Sequence, residues 1–224
     1  MLCLSALCVL AGFFSMVSST LFYARSIVGD VGSFIVITSI NTLGGALLAA
    51  PLVPALVRKF GKKSTFVSGC ALALIGYLAV YMTLTNNVYV VYAVFFIVAI
   101  GATMALTVMW ALEADTVEYG EWKTGVRIEG LTYSLFSFTR KCGQAIGGSI
   151  PAYLLAAAAY VPNAPATDAV KSAILTSFTL APAVCFAAAL LLMSFYPLTD
   201  ARFSEILRDI AERRAGGGRQ ADVR

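Results

Sequence analysis

Six long apolar segments, separated by short polar connections, constrain this chain more than any other feature of its sequence. They lie at residues 2–23, 32–57, 64–83, 88–112, 130–159 and 173–196. A helix of about 20 apolar residues spans the hydrocarbon core of a bilayer, which is about 30 Å thick. Backbone groups in lipid have no water to bond, and the segments lack the alternation of a β-barrel. Each segment is therefore predicted to be a transmembrane helix.

The composition excludes an ordinary soluble domain. Hydrophobic residues make up 59% of the 224 residues and charged residues only 12%, about half the charged fraction of soluble domains. The basic residues lie mainly at the ends of apolar segments, which gives no support to nucleic-acid binding. Histidine is absent, and neither HExxH nor GxSxG occurs, so we expect no enzyme. The five cysteines lie in apolar segments and are expected to be buried thiols.

The distribution of lysine and arginine predicts the orientation in the membrane. Four cations lie in 58–63, two in 113–129 and six after Pro197, against only Arg25 and Lys171 on the opposite side. Cytoplasmic loops carry an excess of lysine and arginine. We therefore predict a multi-pass protein with both termini in the cytoplasm, whose first segment is retained rather than cleaved as a signal peptide.

The end of the chain predicts a cytoplasmic amphipathic helix from about Thr199 to Arg214, with Thr199 or Asp200 as its N-cap. Its apolar stripe, at the spacing i, i+3, i+4 and i+7, consists of Phe203, Ile206, Leu207 and Ile210. The predicted domains are a six-helix transmembrane bundle at 1–196, the amphipathic helix at 197–214 and a disordered end at 215–224.

The segment 113–129 holds five of the twelve acidic residues of the chain and is predicted to be a cytoplasmic loop. Asp115, Glu118 and Glu121 are three residues apart, so on a helix they would share a face. That spacing admits a divalent metal site, but no histidine or cysteine joins the carboxylates and cations are abundant nearby. Ion pairs with Arg127 and with the basic loop at 58–63 are the favoured interpretation, and we expect no bound metal.

Two adjacent cations, Arg140 and Lys141, interrupt the fifth apolar segment. If this helix begins near Gly130, Lys141 lies roughly 16 Å deep, close to the bilayer midplane. A cation there costs about 2.5–3.5 kcal/mol and requires a watery cavity or an anion. No acidic residue of this chain is expected at that depth. We therefore predict that the partner is a ligand, another chain or a missing part of the protein.

One face of the fifth helix carries small and polar residues at the spacing i, i+4, i+7 and i+11: Ser137, Lys141, Gln144 and Gly148. This face is predicted to line a cavity. Arg140 points about 100° away, towards a face that holds Phe136, Gly143 and Gly147. For the glycines, close helix packing is favoured over a surface that slides against its neighbour.

The sequence ADTVEYGEWKTGVRIEGLTYS, followed by Lys141-Cys142-Gly143 and an alanine-rich span, resembles the glycoside–pentoside–hexuronide cation symporters of the major facilitator superfamily. The loop RKFGKK resembles the basic loop between the second and third helices of a six-helix half in that superfamily. The resemblance covers nearly the whole chain, but only the C-terminal half of a twelve-helix transporter.

This resemblance implies cation-coupled sugar symport across the bacterial inner membrane. The implied partners are a sugar substrate, a coupling cation (H⁺ or Na⁺), membrane lipid and an N-terminal six-helix half, with no cofactor. By resemblance, Lys141 and Ser137 lie at the sugar site. Asp115, Glu118 and Arg127 belong to cytoplasmic charge contacts that hold one conformation closed. The acidic residues that bind the coupling cation lie in the other half.

The charges themselves suggest an anionic sugar. A glucuronide carries a carboxylate, to which Arg140 offers a planar fork and Lys141 a point charge, while Gln144 shares the face of Lys141. The alternative is a truncated membrane half that associates with a partner half without transport. The coupling ion, the glycoside and the ability of this half to transport alone remain open at this point.

Overall fold

The computed structural model describes residues 1–82, 88–162 and 164–221, and in these ranges the chain is helical, without a strand. Three helices contain a π-helical segment: α1 (Leu2–Tyr23, then Ala24–Val28), α2 (Gly32–Ser39, Ile40–Ala49, Ala50–Phe60) and α6 (Asp168–Leu175, Thr176–Leu180, Ala181–Ser194). The others are α3 (Lys62–Met82), α4 (Val88–Thr124), α5 (Glu129–Ala157) and α7 (Asp200–Ala221).

Helices occupy the positions of all six predicted apolar segments. Four of them are long and apolar enough to cross a membrane: Leu2–Val28, Lys62–Met82, Val88–Thr124 and Asp168–Ser194. The all-helical membrane class is thereby confirmed, whereas the crossing of the membrane by six helices stays a prediction. The predicted connection at 84–87 lies outside the described residues.

Helix α4 differs from its prediction. It does not end at residue 112 but continues to Thr124, so the predicted loop at 113–129 was wrong for most of its length. A helix of 37 residues is about 55 Å long and exceeds the thickness of the hydrocarbon core. Charged residues mark where lipid ends, not where a helix ends, and α4 carries its acidic residues on an extension of the same helix.

The core of the bundle is built around stacked aromatic rings from three helices. Phe95 of α4 and Phe178 of α6 stack with ring centroids 5.3 Å apart. Tyr77 of α3 contacts Phe95 edge to face at 6.4 Å and Phe186 of α6 at 5.7 Å. All four side chains are fully buried, so this cluster holds α3, α4 and α6 together.

Helix α5 packs on α1 through its glycines. A Cβ atom on Gly143 would lie 2.7 Å from the carbonyl oxygen of Leu7, and one on Gly147 would lie still closer to that of Ala11. The packing interpretation of these glycines is thus confirmed. The side of α5 away from α1 is not covered by the residues that the structure describes. Exposed apolar side chains there include Leu131, Leu135, Phe138 and Tyr153.

Helix α7 packs its apolar stripe against α4, with Ile206 and Ile210 buried and Leu207 40% exposed. The helix continues to Ala221, so the structure disagrees with the predicted disordered end for 215–221, while 222–224 lie outside the described residues. The three glycines in this stretch lower helix propensity by about 1 kcal/mol each, which explains why the sequence predicted an earlier end.

Candidate functional site

Asp115 and Lys62 form a largely buried ion pair between α4 and the first turn of α3. The Lys62 Nζ donates hydrogen bonds to both carboxylate oxygens of Asp115, at 2.6 and 2.8 Å. Only 9% of the Asp115 side chain is exposed. The predicted pairing of the acidic segment with the basic loop is therefore present at this position.

Asp200 caps helix α3 rather than its own helix. Both of its carboxylate oxygens accept a hydrogen bond from the backbone N–H of Lys62, at 3.1 Å, where the helix N-terminus carries partial positive charge. Gly61 has φ +85°, and a Cβ there would collide with this carboxylate. The cap of α7 is Thr199, whose Oγ1 accepts the N–H of Arg202 at 3.5 Å. The predicted cap was thus right for Thr199 and wrong for Asp200.

Lys62 also lies 5.0 Å above the ring of Phe203. The Lys62 cluster, defined as Lys62, Asp115, Asp200 and Phe203, joins α3, α4 and α7. Next to it, the Lys63 Nζ donates to the carbonyl oxygens of Ser194 at 3.1 Å and Tyr196 at 2.6 Å. This end of the molecule is therefore held by contacts that reach the last turn of α6 as well.

A further pair of contacts fixes α7 on the end of α4. The indole N–H of Trp122 donates to Asp209 at 3.1 Å, and Arg213 donates to the carbonyl oxygen of Trp122 at 2.9 Å. Both contacts are polar and lie at the surface side of the helix pair. The tail helix is consequently docked by apolar and polar contacts together.

Arg127 bridges the short linker between α4 and α5. Its guanidinium contacts Glu129 at 2.5 Å and Glu121 at 3.0 Å, and hydrogen bonds to these two carboxylates raise the pKa of Arg127. The Arg127 side chain is 43% exposed. Glu118 lines a small cavity of about 100 Å³ beside the same residues and α7. Asp115, Glu118 and Arg127 thus lie at one end of the molecule, and their gating role stays a prediction.

The acidic residues of α4 do not assemble a metal centre in the parts of the chain that the structure describes, where no group of three or more histidine, cysteine, aspartate or glutamate side chains could hold an ion. Asp115 is engaged by Lys62 and Glu121 by Arg127. The carboxylates that share a spacing along the sequence are therefore directed to different cations.

Arg140 packs against aromatic rings in the gap between α4 and α5. Its guanidinium carbon lies 3.7 Å above the ring of Trp110 and 5.6 Å from that of Phe136. Its Nη2 donates to the hydroxyl of Ser137 at 3.1 Å. The predicted direction of Arg140, towards Phe136, is confirmed, and Ser137 is shared with Arg140.

Glu113 lies next to this arginine and was missed as a site residue. It is 1% exposed, and the charge of Arg140 acts on its carboxylate. The Glu113 Oε2 and the Arg140 Nε are both buried without a hydrogen-bond partner among the described residues. The prediction that no acidic residue lies at the depth of Arg140 was therefore wrong. We call Trp110, Glu113, Ser137 and Arg140 the Arg140 cluster.

The register of the helices contains the signal that would have found this pair. Glu113 lies eleven residues before Thr124, where α4 ends, and Arg140 lies eleven residues after Glu129, where α5 begins. Because the two helices run in opposite directions from a four-residue linker, both side chains lie at the same height, about 16 Å from the linker. The sequence prediction made residue 113 the first residue of a loop, so it did not place Glu113 at the same height as Arg140.

Lys141 and Gln144 lie outside the Arg140 cluster, on the uncovered side of α5. Lys141 is exposed and Gln144 is half-buried, and Lys141 makes no hydrogen bond or ion pair to any residue within the described ranges. Cavities of about 470 Å³ between α1 and α2 and about 620 Å³ beside Tyr119 and Tyr196 are lined by other residues. None of these cavities is lined by Ser137, Lys141, Gln144 or Gly148, so the cavity predicted on this face stays a prediction.

Comparison with known proteins accounts for the fold. Residues 1–200 match the family model of the MFS/sugar transport proteins. The chain is 50% identical over 214 residues to the glucuronide carrier protein homolog of Escherichia coli, covering 96% of this chain and 47% of that protein. It is 33% identical over 215 residues to the putative sulfoquinovose importer of Escherichia coli, covering 95% of this chain and 45% of that protein.

A third relative is the isoprimeverose transporter of Lactiplantibacillus pentosus, which is 31% identical over 185 residues, or 79% of this chain and 37% of that protein. The chain spans about half the length of the curated relatives it matches. The match to the family model covers most of the chain, and its apolar helices suit a membrane transporter. The chain belongs to the MFS/sugar transport protein family.

Proposed function

We propose that this chain is the C-terminal six-helix half of a cation-coupled sugar transporter of the bacterial inner membrane, with both termini in the cytoplasm. The observation that carries the proposal is the uncovered face of α5. Lys141 is exposed and Gln144 half-buried on this side, while the opposite face is packed on α1 through glycines. Charged and polar groups on an uncovered transmembrane face suit a binding site that a second half completes.

The charges favour an anionic sugar such as a glucuronide. A planar guanidinium and a flexible ammonium, on adjacent residues, offer a fork and a point charge to one carboxylate. The similarity to a protein named a glucuronide carrier homolog supports the same substrate class. In this proposal Lys141, Arg140, Ser137 and Gln144 bind the sugar, and the coupling cation is H⁺ or Na⁺.

The charge contacts at the far end of α4 suit a gate. Arg127 pairs with two carboxylates, and its guanidinium is well exposed to water, so each ion pair contributes little to stability. Contacts of that strength break and reform easily during a transport cycle. We assign Asp115, Glu118 and Arg127 to the contacts that close this end of the transporter in one conformation.

Uptake measurements test the proposal. Cells producing this chain, alone and together with the N-terminal six helices of the Escherichia coli glucuronide carrier homolog, are supplied with radiolabelled glucuronide under an imposed proton or sodium gradient. We expect uptake by the pair, abolished by Lys141→Ala and retained by Lys171→Ala, which removes a cation from the predicted opposite side. A pair that is inserted in the membrane but inactive under both gradients would overturn the transporter assignment.

Arg140 is expected to set the preference of the transporter for a charged sugar over a neutral one. In the same assay, Arg140→Gln should lower glucuronide uptake at least tenfold, a loss of about 1.4 kcal/mol in transition-state stabilisation. Uptake of a neutral glycoside should fall much less, because it offers no carboxylate. Equal losses for the two sugars would show that Arg140 acts on folding or on the cycle rather than on the substrate charge.

The alternative function is that of a membrane half that binds a partner half without transport. The uncovered apolar side chains of α5, among them Leu131 and Phe138, favour an associating surface under either function. Copurification of the two halves without uptake under any gradient would favour this alternative.

A further inference from the structure

Glu113 is a buried carboxylate that the sugar site does not use. It is 1% exposed, its Oε2 has no hydrogen-bond partner within the described residues, and the same holds for the Nε of Arg140 beside it. A buried polar atom without a partner costs about 1–3 kcal/mol, and more if it is charged. Such an arrangement suits a site that changes its protonation state or its partner.

Arg140 is the described cation that lies in the gap between α4 and α5 beside Glu113, since Lys141 lies on the exposed side of α5. Glu113 is about one helical turn from Trp110, over whose ring the Arg140 guanidinium lies, while Asp115, two residues further on, is engaged by Lys62. The carboxylate of a bound glucuronide would also pair with Arg140. Two carboxylates that share one partly buried cation are costly to keep ionised together, so one of them takes up a proton.

We propose that Glu113 takes up one proton when an anionic sugar pairs with Arg140, and releases it when the sugar leaves. This inference rests on the proposed sugar site. A proton from water binds the Glu113 Oε2, so the Glu113 carboxylate no longer attracts Arg140, and an ion pair between Arg140 and the sugar carboxylate forms. The summed charge of Glu113, Arg140 and the bound sugar carboxylate is zero after the exchange, as that of Glu113 and Arg140 is before it, so the anion enters without adding charge to this cluster.

The exchange has a consequence for substrate class. A neutral glycoside does not compete with Glu113 for Arg140, so its binding at this site takes up no proton. Proton uptake on binding is therefore expected to follow the charge of the sugar. In this proposal the coupling ion that this half contributes is a proton, and Glu113 carries it. Glu113 would not be found by looking only for residues that contact the sugar.

Proton uptake on binding tests the inference directly. The purified 224-residue chain, alone and with the N-terminal half used in the uptake assay, is mixed in weakly buffered detergent solution with p-nitrophenyl glucuronide or p-nitrophenyl glucoside. A pH indicator records protons, and equilibrium dialysis records bound sugar. We expect about one proton per bound glucuronide near neutral pH and none per bound glucoside, as charge balance at the site requires.

Variants assign the proton to Glu113. Glu113→Gln should bind glucuronide without proton uptake, because the amide has no site for the proton and no charge to compete for Arg140. Glu113→Asp should retain the uptake. Glu205→Gln, at an exposed position of α7, is the matched control and should leave the proton stoichiometry unchanged.

The outcomes separate this inference from the proposed function. Glucuronide binding by the parent chain without proton uptake, or uptake undiminished in Glu113→Gln, overturns the role of Glu113 and leaves the sugar site standing. No glucuronide binding by the parent chain overturns both. If Glu113→Gln does not fold, two other measurements decide. One is proton uptake by the parent chain with the charged and with the neutral sugar, and the other is the same pair of measurements on Glu113→Asp.

Discussion

Two buried carboxylates on α4, only two residues apart, have opposite surroundings. Both oxygens of Asp115 accept hydrogen bonds from Lys62, whereas Glu113 has a buried oxygen without a partner among the described residues. Two residues correspond to about 200° around a helix, so Asp115 faces α3 and Glu113 faces α5. One carboxylate belongs to the Lys62 cluster and the other to the Arg140 cluster.

The comparison separates a carboxylate whose oxygens both accept hydrogen bonds from one that keeps an oxygen without a partner among the described residues. The Lys62 cluster satisfies its carboxylates with an ammonium group and a helix N-terminus. The Arg140 cluster holds a carboxylate and a guanidinium side by side and leaves an atom of each unpaired. Buried polar groups in stable proteins are nearly all hydrogen-bonded, so each exception calls for an explanation. The explanation that we propose is the exchange of a proton at Glu113 for a sugar carboxylate at Arg140.

The largest expected effect tests whether α5 is positioned by packing rather than by its charges. Gly147→Ala places a Cβ against the backbone of Ala11 and should lower the free energy of unfolding by about 3 kcal/mol. Gly148→Ala is the matched control, since its Cβ would lie 3.8 Å from Ser18 Oγ, and it should be neutral or stabilising. Thermal unfolding in detergent measures both, and equal effects would contradict the packing described for α5.

The second effect breaks the Lys62 cluster. Asp115→Asn leaves the Lys62 ammonium without an anion in a largely buried place and should lower the free energy of unfolding by about 2 kcal/mol. Glu212→Gln removes one partner of an exposed pair, 3.9 Å from Arg208, and should change it by less than about 0.5 kcal/mol. Thermal unfolding of the two variants under the same conditions gives the comparison.

The third effect concerns the carboxylate of the Arg140 cluster and is the counterpart of Asp115→Asn. Glu113→Gln keeps the shape of the side chain and removes a buried charge that is poorly satisfied, so the free energy of unfolding should fall by less than about 1 kcal/mol or rise. The measurement is the unfolding midpoint beside that of Asp115→Asn. If both amides destabilise the protein equally, the two carboxylates are alike and the distinction drawn here fails.

The smallest effect concerns Arg127. Arg127→Ala removes two ion pairs of an exposed guanidinium and should lower the unfolding midpoint only slightly at low salt. The loss should shrink as ionic strength rises, because salt screens exposed charges. Unfolding midpoints at low and high salt measure this dependence. A loss that persisted unchanged in high salt would place Arg127 among the structural charges.

The sequence predicts the helical membrane class and the helix positions well, because apolar segments of membrane length are a strong signal. Long-range polar pairings were harder to predict. The contact between Asp200 and the first turn of α3 joins residues 138 positions apart, and a carboxylate near a local helix start is equally suited to cap its own helix. No local pattern distinguishes these two roles.

The Arg140 cluster was missed for a different physical reason. In a hydropathy pattern the first acidic residue after an apolar segment marks the start of a loop, and this rule removed Glu113 from the helix. The direction of Arg140 and the packing of the glycines followed from helix periodicity alone, since both depend on neighbours three or four residues away. The partner of Arg140 depends on the end of a different helix.

The four-residue linker between α4 and α5 has a consequence for the diversity of such transporters. Since it fixes which positions of the two helices meet, positions 113 and 140 form one site although 27 residues separate them along the chain. Two substitutions, one on each helix, would replace the charges there and leave the glycine contact between α5 and α1 in place. If Arg140 binds the sugar as we propose, a paired change at these two positions would give such a transporter a new substrate charge preference.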